Sequence, residues 1–246
     1  MAVLVTRPYP DNAATAGALR AAGIEAMLAP MLRFEPVEWR DEPGAAFDGV
    51  IVTSANALRA IEGNSGVAPL LELPLFAVGS HTAEAARTGG FRSVIDADGD
   101  AAALRERIKA SMKKRKRNAT LLHLAGADLA SDLAAELGAT GVTVVTRTVY
   151  RMAPVSRLPD DVCAAFTAQH IEAVLHYSRR SARAFVDAAR HAGIEISALA
   201  LPQCCLSASI GAVLREAGAV RISAASAPNE AALLDTLLRA LGRSSR

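Results

Sequence analysis

Short apolar runs alternate with longer alanine- and leucine-rich segments along most of this chain. The runs are rich in Val, Ile and Leu and end at Gly, Pro, Ser or Thr. The segments between them repeat apolar positions at helical spacing. This pattern predicts strands at 3–6, 25–29, 50–53, 75–78, 93–95, 120–124, 142–146, 173–177, 203–207 and 220–223. It predicts helices at 12–22, 55–62, 82–88, 101–113, 129–137, 181–192, 210–217 and 230–241. Gly23, Gly89, Gly138, Gly193, Gly218 and Gly242 stand where left-handed helix stops are expected. Strand–helix alternation of this kind builds parallel sheets covered by helices.

The pattern also repeats. VIVTSANALRAI at 50–61 resembles VLHYSRRSARAF at 174–185, each a strand, a serine and a helix with arginine five residues after the serine. LFAVGSHTAEAARTGGF at 75–91 pairs in the same way with PQCCLSASIGAVLREAGA at 202–219. Two related domains are therefore expected. Two strands before Met31 and three after Val155 make one five-stranded sheet, and the middle of the chain makes another. The expected fold is α/β, with two similar doubly wound, flavodoxin-like parallel-sheet domains, one inserted in the other. The outer domain takes 1–34 and 152–246 and the inserted one 40–146. Segments 32–39 and 146–153 cross between them as a two-stranded antiparallel ladder acting as a hinge.

Composition narrows the classes. The 246 residues suffice for two small cores, and 51% hydrophobic content with 4% aromatics suits helices on sheets. A net charge of +2 from 27 basic and 25 acidic residues announces neither a nucleic-acid nor a membrane partner. Cys163, Cys204 and Cys205 lack zinc spacing, and neighbours such as Cys204 and Cys205 pair poorly, so reduced thiols in a cytoplasmic protein are expected. No signal peptide and no bilayer-length apolar stretch are read in the sequence.

In doubly wound sheets ligands sit beyond the carboxyl ends of the strands. Those ends carry Arg7, Ser178, Arg179, Ser207, Ser209 and Asn229 in the outer domain, and Ser54, Asn56, Ser80, Thr82 and Gly126 in the inserted one. Hydroxyls and amides opening helices either cap them or help bind anions there. Arg33, Arg147 and Arg151 lie in the crossings, and Arg180 follows Arg179. Guanidinium forks around a cleft match the carboxylates of a small polyanion. The sequence has no GxGxxG after the first strand, no GxxxxGK[ST] and no GxSxG. His81, His123 and His176 show no metal spacing and read as structural. Asp96 and Asp98 read as loop caps, and the basic run at 113–117 as a solvated turn.

VLVTRP at 3–8, VIVTSANALRA at 50–60, AVGSHTAEAARTGG at 77–90, LLHLAGADLASDLAAELGATGVTV at 121–144, TVYRM at 148–152 and SAPNEAALL at 226–234 together resemble the uroporphyrinogen-III synthase family. The resemblance covers nearly the whole chain and rests on the order and spacing of these motifs. It implies two α/β domains joined by a two-stranded ladder, no metal and no cofactor. It also implies a linear tetrapyrrole polycarboxylate, hydroxymethylbilane, as substrate, bound in the cleft. Loss of the hydroxyl would leave a pyrrole-stabilised cation. Attack through the substituted carbon of ring D, a spiro intermediate and inversion of that ring would follow. Such a task is mainly one of positioning, which agrees with the lack of a visible triad. Tyr150 matches the family's tyrosine and would be catalytic, its phenol donating to the departing hydroxyl. Thr82 matches a recurring threonine. The chain departs from the family at His176-Tyr177-Ser178 and at Leu206-Ser207-Ala208-Ser209.

The expected enzyme is thus a cytoplasmic monomer with a small-molecule substrate, no nucleic-acid or membrane partner, and transient contact with neighbouring enzymes of its pathway. A non-catalytic two-lobed sensor for a polycarboxylate tetrapyrrole is the alternative. A periplasmic-type receptor ranks behind it for want of an export signal.

Overall fold

A computed structural model of the chain describes residues 1–39, 46–112, 118–129 and 132–243. The basic run at 113–117 lies outside the described residues, as do 40–45 and 130–131. The chain divides into two compact units, Met1–Phe34 with Ala153–Arg246, and Glu35–Met152.

The first unit carries a five-stranded sheet. Its strands are β1 (Ala2–Val5), β2 (Glu25–Leu28), β9 (Ile171–His176), β10 (Gln203–Cys205) and β11 (Ile222–Ala224), in the order β11-β10-β9-β1-β2 and parallel throughout. Alternation along β1 sends side chains to both faces. Val3 and Val5 meet Leu19 of α1 (Asp11–Ala21) and Leu233 and Leu237 of α10 (Glu230–Ala240). Leu4 points the other way, into a core with Phe166 of α6 (Asp160–Thr167) and Phe185 of α7 (Arg179–His191). Continuous apolar strands are what two covered faces require, and burying each large side chain contributes about 1.5–3 kcal/mol.

The second sheet has six strands: β3 (Leu32–Pro36), β4 (Gly49–Val52), β5 (Pro74–Ala77), β6 (Ser93–Asp96), β7 (Ala119–Gly126) and β8 (Val142–Pro154), ordered β3-β8-β7-β4-β5-β6. Strands β4 to β8 are parallel, and β3 makes the sheet mixed. Val50 and Val52 pack with Leu58 of α2 (Ala55–Ile61) and Ala83 of α3 (Ser80–Thr88). On the other face, Ile51 and Phe76 pack with Leu104 and Ile108 of α4 (Ala101–Met112) and Leu133 of α5 (Leu133–Gly138).

Several expectations need correction. The inserted sheet has six strands rather than five, because β8 continues through 146–153 without a break and brings β3 alongside. Nothing between Val142 and Val149 interrupts an extended strand, since no Gly, Pro or Asn stands there. Segments 32–39 and 146–153 do pair, as β3 and the later part of β8, and this pair continues the sheet. Two helices, α6 and α8 (Glu195–Ala200), and a 3-10 helix over Ser65–Glu72 were not expected. Each is short, and Pro69 sits inside the last. Gly89 and Gly138 are not left-handed; that conformation falls on Gly90 (φ 93°) and Gly141 (φ 78°) instead.

Candidate active site

Both sheets have a switch point where chain order reverses, and such points open crevices at the strands' carboxyl ends. In the first unit this lies between β1 and β9, in the second between β4 and β7. The serines of the two repeats flank them. Ser54 accepts from the Asn56 amide at 3.2 Å and caps α2, while Ser178 accepts from the Ser181 amide at 3.0 Å and caps α7.

At the first switch point Arg7 follows β1 and Tyr177 follows β9. The guanidinium carbon of Arg7 lies 4.7 Å from the Tyr177 ring centroid. Its Nη1 donates to Glu230 Oε2 at 2.8 Å, and its Nη2 lies 3.3 Å from Asp11 Oδ2. The other oxygen of Glu230 accepts from buried Thr15 at 2.7 Å and from the Tyr177 hydroxyl at 3.0 Å. Burial, first of all, pushes the Tyr177 phenol well above its ordinary pKa, so it remains a neutral donor. Arg7, expected as a substrate contact, is thus engaged by two carboxylates of its own unit. Arg179 is exposed in the first turn of α7. The Ser207 hydroxyl meets that of Ser209 at 3.0 Å, and exposed Asn229 caps α10 through the Ala232 amide at 2.9 Å.

At the second switch point β7 ends at Gly126 and β8 runs beside it. Ala125 lies opposite Thr148 but Gly126 opposite Tyr150, so Val149 is an extra residue bulged out of register. The Ala127 amide donates to the Tyr150 carbonyl at 2.9 Å. Tyr150 is half-buried against the core beneath α2 and α3, and its ring covers Gly126. Asn56 accepts from Arg59 Nη1 at 3.2 Å, and its Nδ2 lies 4.0 Å from Met152 Sδ. Ser54, Asn56, Gly126 and Tyr150 therefore share one edge, with Ser80 exposed at the start of α3 beyond β5. Thr82 is only 6% exposed. Arg147 reaches the Thr146 carbonyl at 3.5 Å, and Arg151 pairs with Glu35 on β3 at 2.6 Å.

Two buried histidines behave as structural groups. Gln203 Nε2 donates to the carbonyls of Ala198 and Leu201, which makes its Oε1 the acceptor and puts the proton of His176 on Nε2, 2.9 Å away. Burial lowers the pKa of His176 to about 4, against the Gln203 bond, and burial alone does the same to His123. Asp96 caps its loop through the Asp98 amide. Among the described residues no cluster of His, Cys, Asp or Glu is arranged to hold a metal, and no helix is long and apolar enough to cross a membrane. A groove of about 660 Å³ runs between α2, α3 and the 3-10 helix, floored by Leu58, Ile61 and Phe91. None of the candidate residues lines it.

Thr15, Tyr177 and Glu230 were missed by sequence reasoning. The one available signal was Tyr177 itself, a phenol where the family motif has a threonine.

Comparison with known proteins agrees with this architecture. A family model described as uroporphyrinogen-III synthase HemD matches residues 13–235. No curated protein sequence matches. Among solved structures, uroporphyrinogen-III synthetase from Helicobacter pylori is similar at a TM-score of 0.66 and 16% identity, over 97% of this chain and 98% of that one. A mutant uroporphyrinogen III synthase from the extremely thermophilic bacterium Thermus thermophilus is similar at 0.51 and 16% identity, over 98% and 99%. At that identity the structural likeness establishes the fold alone.

Proposed function

We infer the activity from one premise: this chain belongs to the uroporphyrinogen-III synthase family. The reaction we propose is conversion of hydroxymethylbilane to uroporphyrinogen III and water, with inversion of ring D through a spiro intermediate. The observation that carries it is the family match over most of the chain. Tyr150 supports it, because the family's tyrosine stands opposite Gly126, at the end of the strand that borders the second switch point.

In the proposed mechanism the Tyr150 phenol donates to the departing hydroxyl, which leaves as water as the pyrrole nitrogen's electrons fill in. The substituted carbon of ring D attacks the resulting cation to form the spiro centre. Fragmentation and reclosure at the neighbouring position then invert the ring, and the proton lost as aromaticity is restored returns to the Tyr150 phenolate. The remaining groups hold the flexible chain in one conformation. Ser54, Asn56, Ser80 and Gly126 in one unit, and Ser178, Arg179, Ser207, Ser209 and Asn229 in the other, offer hydroxyls, amides and charge to the carboxylates. Arg147 and Arg151 add cations along β8. Arg179 and Arg180 open α7 against its dipole, a placement that a bound carboxylate relieves. We place the enzyme in the cytoplasm, acting as a monomer without cofactor.

The test is turnover. Enzymatically generated hydroxymethylbilane is supplied, the products are oxidised and the isomers separated. Isomer III above background is expected, and isomer I alone would overturn the reading.

A further inference from the structure

We infer that Gly126 is the positioning residue for the Tyr150 phenol, an assignment that rests on the catalytic reading of Tyr150. A methyl group placed on Gly126 would lie 2.7 Å from Tyr150 Cζ, 2.9 Å from its hydroxyl oxygen and 3.0 Å from Cε2. The hydroxyl-bearing end of the ring therefore rests directly on the glycine, closer than any side chain allows.

Two further features hold the ring there. The bulge at Val149 puts Tyr150, rather than Val149, opposite Gly126. The hydrogen bond from the Ala127 amide to the Tyr150 carbonyl ties the backbone on both sides of the contact. Gly126 has no positive φ, so a left-handed turn does not explain the glycine. Space for the ring does. The atoms that would clash belong to the far end of a side chain, so Gly126→Ala displaces the phenol at little cost to the fold. Displacement of a catalytic group by about 1 Å costs on the order of 100-fold in rate.

The experiment is a double-mutant cycle on isomer III formation, with kcat and KM measured for Gly126→Ala, Tyr150→Phe and the double variant, each checked by thermal unfolding. Gly126→Ala is expected to lower kcat by about 100-fold with KM within twofold, and to have less than a twofold effect in the Tyr150→Phe background. Equal losses in both backgrounds, or none in either, overturn the positioning role alone. Full activity of Tyr150→Phe overturns the catalytic reading and this inference with it. Should Gly126→Ala fail to fold, Gly126→Ala/Tyr150→Ala is expected to fold like Tyr150→Ala. A double variant that stays unfolded means that Gly126 serves the backbone instead, and overturns the role.

Discussion

Arg7 Nη1 donates to Glu230 Oε2 at 2.8 Å across 223 residues of sequence, joining the end of β1 to the first turn of α10. Every other contact of that carboxylate reinforces the pair. Thr15 and Tyr177 donate to its second oxygen, and the Arg7 guanidinium lies over the Tyr177 ring. The pair is part-buried, so it is worth more than a surface bridge.

Breaking this hub tests whether it is a strut of the fold. Glu230→Ala leaves Arg7 with Asp11 and the Tyr177 ring, and leaves the Thr15 and Tyr177 hydroxyls only the longer contacts with each other and with the Asp11 carbonyl. A loss of about 2 kcal/mol in chemical unfolding is expected, with KM changed less than threefold. A large rise in KM at unchanged stability would instead return Arg7 to the substrate.

Tyr150→Phe keeps the ring over Gly126 and removes only the donor. A fall in isomer III formation of about 100-fold is expected, with an unchanged melting temperature. Near-full turnover takes Tyr150 out of the mechanism.

His123 and His176 are both neutral when folded, with pKa values lowered to about 4 from 6.5. Between those values the unfolded chain binds protons that the folded chain refuses. Stability is therefore complete above about pH 6.5 and falls as pH drops toward 4, by up to about 1.4 kcal/mol per pH unit for each histidine. His123 Nε2 has no hydrogen-bond partner, so His123→Leu removes one contribution without stranding another group. Urea midpoints at pH 7.5 and 5 are expected to differ less in this variant than in the parent, and an equal difference would refute the assignment.

Cys204 and Cys205 are buried free thiols whose pKa values burial pushes up to about 11 and about 12. Thiolate is the reactive form. Both are expected to resist a disulfide reagent at pH 8 until urea unfolds the chain, with half-buried Cys163 reacting first. Rapid labelling of three thiols in the native protein would contradict this burial.

Most of the elements were legible because strands and helices answer to local periodicity. Val50-Ile51-Val52 could only be a covered strand, and Ser54 and Ser178 cap their helices as the repeat implied. The failures lie where local signals are short or neutral. DDVCAAFT makes α6 in two turns after a proline, too short a stretch for helical spacing to stand out. Segment 142–154 contains nothing to mark where a sheet strand ends and a crossing begins, so one strand was divided in two.

The candidate site divides along the same line. Its residue types and their arrival at strand ends were decided by the sequence alone, because a parallel strand's carboxyl end is wherever its apolar run stops. The order of the motifs also carried the family. Tertiary structure alone decided that Glu230 occupies Arg7, that Thr82 is turned into the core, and that Tyr150 lies on Gly126. Each depends on register or approach between segments far apart in the chain. A one-residue bulge at Val149 is enough to change which side chain stands opposite the glycine.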